Sequence, residues 1–177
     1  IMTPKLLWFK ATLAGQELPM LLDSGATVCC VAQRCVEASY ELKSLFRKPY
    51  NGSGLLDANG KFITPTFVIT VPVVIGKPAI SLTLDFVVIK SLPYSCIIGT
   101  SLLYQLKQWS VDNERNLLTL NEAYIPVSAE PPSCNGITLI LPHRFTVPGN
   151  ESATVLSKAK GNGLSAFRPL NQSICHD

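Results

Sequence analysis

Charge is what this chain has least of. Only 15% of its 177 residues are Asp, Glu, Lys or Arg, against about 25% in an average globular protein. The net charge is +3, and the 15 Lys and Arg are scattered singly or in short groups such as Arg47-Lys48. No basic face for nucleic acid is therefore offered. Histidine is scarcer still, at His143 and His176. Cys29, Cys30 and Cys35 lie far from both, so the paired spacing of a metal site is missing and neither metal nor cofactor is expected. His143 reads as a surface or packing residue. Long apolar runs are absent too. The longest, Phe62 to Gly76, contains Pro65 and Pro72 and is too short to span a bilayer. No secretory signal opens the chain, and a start at Ile1 reads as a fragment or a processed product.

Six cysteines are few for a disulfide scaffold, and Cys29, Cys30 and Cys96 sit inside apolar runs, where a thiol behaves as a small buried hydrophobe. The expected setting is reducing and intracellular. The Asn-X-Ser matches at Asn51, Asn150 and Asn171 then count as coincidences.

What the chain does have is apolar material, 47% of its residues, ample for a sizeable core. Residues 5 to 122 read mostly as short strands. LLWFKATLAG and QELPMLLD flank Ala14-Gly15 as a hairpin. FITPTFVITVPVVIGKPAISLTLDFVVI is rich in Val, Ile, Thr and Phe, with Gly76-Lys77-Pro78 as its turn. Its prolines belong at edge positions or strand ends. Two segments look helical: Gln33 to Phe46, and TSLLYQLKQ, where Thr100 is the expected cap and Leu102, Leu103 and Leu106 share a face. WSVDNERNLLTL reads as two strands around an Asp112-Asn113 turn. From residue 123 to 135, AYIPVSAEPPSCN carries three prolines and reads as a linker. Residues 136–177 read as a small β-rich extension with strands around Pro148-Gly149-Asn150.

The chemistry concentrates at residues 21 to 30, LLDSGATVCC. A lone carboxylate, Asp23, ends an apolar strand and is followed by Ser24 and Gly25. Such a triplet occurs by chance in roughly one chain in twenty or thirty of this length, and Asp, Ser and Gly are also ordinary turn residues. Yet Gly25 lets the backbone turn tightly, and Ser24 can hydrogen-bond across the gap. If two such loops meet, two carboxyls lie too close to ionise together and share one proton. One then acts as base on a trapped water, while the other polarises a peptide carbonyl, with activity on the acid side.

A second motif lies some seventy residues on, YSCIIGTSLL. Together the two motifs resemble the retropepsins, the aspartic proteases of retroviruses and long-terminal-repeat retrotransposons, over residues 5 to 122. In that family an apolar strand ending in Gly, then a short helix, packs behind the catalytic loop; the matching residues are Ile97, Ile98, Gly99 and Leu102-Leu103. LLDANGKFITPTFVITVPVVIGKP looks like the flap hairpin and following strands, with Asn59 and Gly60 at the tip. QWSVDNERNLLTL is similar to the closing strands of Ty3/gypsy-type elements. ITLILPHRFTVPGNES resembles, more faintly, the connector that leads to reverse transcriptase there.

The resemblance implies an all-β, retropepsin-like closed β-barrel with one short C-terminal helix over residues 1–122. A Pro-rich linker over 123–135 and the extension over 136–177 follow. It implies Asp23 as the catalytic residue, Ser24, Gly25, Ala26 and Thr27 as loop support, and substrate contacts from Ala26, Asn59 and Gly60. Asp57, Asp85 and Asp112 lack the Ser/Thr-Gly that follows Asp23. One chain thus supplies one carboxylate, and activity calls for a C2 homodimer. Two departures stand out. Many retroviral members pair an acidic residue after the Ala with an Arg after the second Gly; here these are Thr27 and Thr100, and no orphan charge results. Ser101 stands where retrotransposon members often have Asp.

The leading expectation is an endopeptidase that processes its own retroelement polyprotein inside the cell, in the cytoplasm or within virus-like particles, without nucleic-acid or membrane partners. The alternatives are a silent or domesticated retropepsin-fold dimerisation or binding module, and a host protein that cleaves one cellular substrate.

Overall fold

Ala14 and Gly15 both take positive φ, 48° and 83°, the twist that a two-residue hairpin turn requires. They join β1 (Leu7–Leu13) to β2 (Gln16–Leu22), which pair antiparallel from Leu7 opposite Leu22 to Leu13 opposite Gln16. This computed structural model describes residues 6–134, together with the backbone of two short strands farther on, Phe145–Val147 and Glu151–Ala153.

After the Asp23 loop come β3 (Cys29–Ala32), α1 (Gln33–Ala38) and α2 (Tyr40–Lys43). The single helix expected over Gln33 to Phe46 is thus two. Ser39 is extended at φ −109°, ψ 122°, and its side chain accepts a hydrogen bond from Leu42 N at 3.2 Å, capping α2. A serine gains more as a cap than within a helix. Arg34 on α1 donates to the carbonyls of Leu92 and, at 3.3 Å, Pro93, anchoring the loop that leads into the second motif.

Next follow β4 (Arg47–Lys48), the small hairpin β5 (Leu55–Leu56) and β6 (Phe62–Ile63), and the two longest strands, β7 (Pro65–Ile75) and β8 (Ile80–Ile89). β7 and β8 pair antiparallel around the expected turn at residues 76–79. Pro65 opens its strand, as anticipated. Pro72 sits inside β7, but beyond β8 that strand is paired only with β4 at Val68 and Ile69 and with β1 at Val73 and Val74. Its missing N–H therefore costs little in the ladder.

β9 (Cys96–Ile98) and α3 (Thr100–Leu103) carry the second motif. The helix expected over nine residues is one turn long. Gly99, not Thr100, is its cap position, and no side-chain cap bond forms. Leu102 and Leu103 are buried and Leu106 packs against the core from the following turn.

The strand order β1-β2-β9-β3-β8-β7 closes on itself through Thr12 opposite Val74 and Leu13 opposite Val73. The result is the expected all-β fold, a six-stranded closed barrel with β4 attached to β7. The buried core includes Phe9, Leu13, Met20, Leu21, Ile69, Val71, Val73, Phe86 and Val88. Trp8 meets Tyr94 edge to face with ring centroids 5.7 Å apart.

A second sheet contains β10 (Trp109–Asp112), β11 (Leu117–Leu120) and β12 (Ala123–Pro126). The Asp112 carboxylate accepts from Glu114 N and Arg115 N, both at 3.0 Å, and so shapes the β10–β11 turn. The reading of Ala123 onward as linker needs correction: Leu118 lies opposite Ile125, and Ala123 and Ile125 are buried. Beyond it, Trp8 and Ser128 exchange backbone bonds of 2.8 and 2.9 Å, and Cys134 is buried. β13 (Phe145–Val147) pairs with β14 (Glu151–Ala153), flanking residues 148–150. The rest of the extension read over 136–177, including His143 and most of the connector-like stretch, lies outside the described residues.

Candidate active site

β9 is the strand that shapes the Asp23 loop. It runs parallel to β2, with Leu22 beside Ile98, and antiparallel to β3, with Cys30 opposite Ile97. The two strands flanking residues 23–28 are thus held apart by a third, and the loop between them has to protrude. Asp23 N–H donates to Ile98 O at 3.0 Å. Ala26 N–H closes a turn onto Asp23 O at 3.2 Å. The Asp23 carboxylate takes Gly25 N–H on Oδ1 at 2.9 Å, the Asx-turn geometry that suits Asp before Gly. Oδ2 is sealed from solvent within the chain. Ser24 and Gly25 form the exposed tip.

Gly99 packs against the back of this loop. A Cβ on it would stand 2.6 Å from Ala26 O and 2.5 Å from Val28 O, so only glycine fits. That approach lets Thr100 N–H reach Ala26 O at 2.8 Å and Ser101 N–H reach Thr27 O at 3.0 Å. Where many family members carry an ion pair, this chain is neutral: Thr100 Oγ1 donates to Thr27 O at 3.3 Å. Ser101 Oγ accepts from Cys29 N–H at 3.1 Å and donates to Cys29 Sγ at 3.3 Å, and Gly99 N–H also reaches that sulfur at 3.4 Å. Ile97 and Ile98 are fully buried behind the loop.

The structure thus brings Asp23, Ser24, Gly25, Ala26, Thr27, Ile97, Ile98 and Gly99 into one unit. Ala26 is wholly buried, with its N–H and carbonyl both engaged in backbone hydrogen bonds. Asn59 and Gly60 lie apart from that unit, exposed at the tip of the β5–β6 hairpin. There Asp57 Oδ1 accepts from Asn59 N–H and Lys61 N–H, both at 2.9 Å, and Gly60 takes φ 77°. The support from Cys29 and Ser101 was not legible in advance, because 72 residues separate the partners and no local pattern links them.

Among the described residues no group of three or more His, Cys, Asp or Glu could hold a metal ion, and no helix is long and apolar enough to cross a membrane. The arrangement can present one carboxylate, on a braced loop, to a second group of the same kind.

The retroviral aspartyl protease family model matches residues 8–109. No curated protein sequence matches the chain. Among solved structures it is similar to the retroviral protease-like domain of Ddi1 from Leishmania major, at TM-score 0.54 and 22% identity over 71% of this chain and 95% of that one. A retropepsin-like aspartic protease from Rickettsia conorii follows at TM-score 0.45 and 20% identity, over 70% and 84% of the two chains. The protease of EIAV with a bound inhibitor follows at 0.36 and 22%, over 59% and 88%. At such identities the likeness speaks of fold, and only the first is close enough to carry weight. The family match is independent of it and takes in both the Asp23 loop and the strand wedged behind it: the chain belongs to the retroviral aspartyl protease family.

Proposed function

We propose that this protein is an aspartic endopeptidase that works as a homodimer. The observation that carries the reading is Asp23 itself, on an exposed loop braced by Ile98, Ala26 and Gly25. No other Asp in the chain is followed by Ser/Thr-Gly, so the second carboxylate comes from a second copy across a two-fold axis. Two such carboxyls share a proton: the ionised one takes a proton from a water between them, and the protonated one polarises the scissile carbonyl. Ser24 and Gly25 brace the facing loops, and the Asn59-Gly60 hairpin tip closes over an extended peptide.

The substrate proposed is the polyprotein of a Ty3/gypsy-type retroelement, supported by the connector-like residues 137–152, with an intracellular setting that follows from it. The protease unit is proposed to extend past residue 122, because Ala123 and Ile125 complete a sheet of that unit. A second reading is a dimerisation or binding module without turnover. The likeness to a domain of Leishmania major Ddi1 favours keeping it, since that fold also occurs outside retroviruses.

The test is cleavage of a mixed peptide library at mildly acid pH and high protein concentration, wild type beside Asp23→Ala. Cutting by the wild type alone supports the peptidase; silence from both overturns it in favour of the binding module.

A further inference from the structure

The first two residues of α1 hold two segments that are far apart in the chain. Gln33 Oε1 accepts from Thr66 Oγ1 at 3.2 Å, at the start of β7. Arg34 donates to the carbonyls of Leu92 and Pro93, the latter at 3.3 Å. On either side of them, Ala32 N–H donates to Ser95 O at 2.9 Å, and the side chains of Cys35 and Ser95 are hydrogen-bonded. Residues 91–95 belong to no strand, so their carbonyls need partners outside a ladder. A guanidinium presents its donors as a rigid fork, and one arginine can therefore serve two successive carbonyls, which the point charge of a lysine cannot do in one geometry.

The two anchored segments border an open cavity of about 690 Å³. Lys61, Phe62, Thr64 and Thr66 line it from the β5–β6 hairpin and its run into β7, and Lys90 and Ser91 line it from the chain that leaves β8. The first wall carries Asn59 and Gly60 at its tip. The second continues through residues 92–95 into β9, whose Ile98 carbonyl accepts from Asp23 N–H at 3.0 Å. One wall thus leads to the hairpin tip and the other to the carboxylate, and α1 is bonded to both.

We infer that Gln33 and Arg34 are positioning residues that tie the root of the hairpin and the strand behind Asp23 to one helical turn, and so set the gap in which a peptide is held against the carboxylate. The inference rests on the proposed peptidase, since the gap matters to rate only if a peptide lies in it. Arg34 acts through residues 92–98, and Gln33 acts through Thr66 on the hairpin. A misplacement of about 1 Å at a reacting centre can cost about a hundredfold in rate, so the two anchors separate kinetically. Releasing Arg34 shifts the carboxylate and lowers kcat. Releasing Gln33 loosens the covering hairpin and raises KM.

The experiment compares Arg34→Met, Arg34→Lys and Gln33→Leu with the wild type, by steady-state cleavage of a peptide and by hydrogen exchange of the substrate-free protein. Arg34→Met keeps the aliphatic stem. It is expected to lower kcat about tenfold or more with KM nearly unchanged, and to speed exchange at the Ala32 and Asp23 amides but not at Val71 in the middle of β7. Arg34→Lys should recover part of both effects. Gln33→Leu should raise KM severalfold and speed exchange in residues 61–66, leaving kcat and the Asp23 amide as they were. Should Arg34→Met fail to fold, the other two variants carry the same contrast. Selective exchange at these amides, with no cleavage by any chain including the wild type, supports the two anchors while overturning the peptidase. Exchange that rises equally at Val71, or variants that match the wild type in exchange and in kinetics, overturns the positioning role.

Discussion

Gly99 and Ala26 touch through backbone alone: the space a Cβ on Gly99 would need is already filled by the Ala26 carbonyl, 2.6 Å away, and by that of Val28. Gly99→Ala must therefore push the Asp23 loop off β9 or distort α3. A loss of about 3 kcal/mol is expected, as for overpacking in a core that cannot yield. Urea unfolding at equilibrium measures it, and cleavage should fall further than stability alone explains, because the displaced segment carries the carboxylate.

Asp23→Asn separates chemistry from folding. An Asn side-chain oxygen can still accept from Gly25 N–H, the bond Asp23 Oδ1 makes at 2.9 Å. The unfolding midpoint should barely move, while peptide cleavage drops about a thousandfold or more, the usual order for losing an acid–base group. Retained activity would falsify the assignment of Asp23.

Dilution probes the shared site. With one Asp-Ser-Gly per chain, specific activity should decline as protein concentration falls through the dimer dissociation constant. A constant specific activity, paired with a monomeric mass by sedimentation, would mean that a single carboxylate does the work.

Truncation probes the second sheet. Ile125 is almost fully buried, so Ile125→Ala should cost about 3 kcal/mol. Ending the chain at residue 122 should cost more, since β12 and its pairing with β11 go as well. Equal stability of the 1–122 and 1–134 chains in thermal melts would show that this strand adds nothing.

Alkaline pH should destabilise the protein through its buried thiols. Burial raises Cys35 above its ordinary value of 9.0, raises Cys96 well above it with help from neighbouring Cys29 and Cys35, and pushes Cys134 up to about 12. Below pH 9 folded and unfolded chains hold these protons alike. Above it the unfolded chain releases them and the folded chain does not, so stability falls as pH rises, from about 9 toward 12 for Cys134. The drop in unfolding free energy between pH 8 and pH 10 should shrink in Cys96→Ala, whatever that variant costs at pH 8.

Legibility in the sequence followed locality. The Ala14-Gly15 hairpin and the turn at Gly76-Lys77-Pro78 could be read because glycine and proline announce the backbone they need. The strand before Gly99 and the loop at Asp23 could be read as motifs. How they join could not, since Cys29 and Ser101 are 72 residues apart. Two elements misled for definite reasons. Ser39 looked like one more residue of a helix, yet its hydroxyl starts a new one. Ala123–Pro126 looked like linker because residues 123–135 carry three prolines. Its alternation of buried and exposed positions is too short to stand out before β11 is known to lie beside it. The Lys48–Asp85 ion pair was equally silent, joining charges 37 residues apart.

The barrel is closed by little. β7 and β8 are matched along nearly their whole length, whereas β1 meets β7 through Thr12, Leu13, Val73 and Val74, helped by Ala14 N–H on Pro72 O. The two flanking hairpins form from neighbours in the chain, but this seam joins segments some sixty residues apart and must wait for that large loop to close. The barrel should therefore begin as two hairpins, with this seam and the equally long-range pairings of β3 and β9 forming afterwards. The same stitch should be first to open, with the Ala14 amide exchanging with solvent sooner than that of Val71 in the middle of β7.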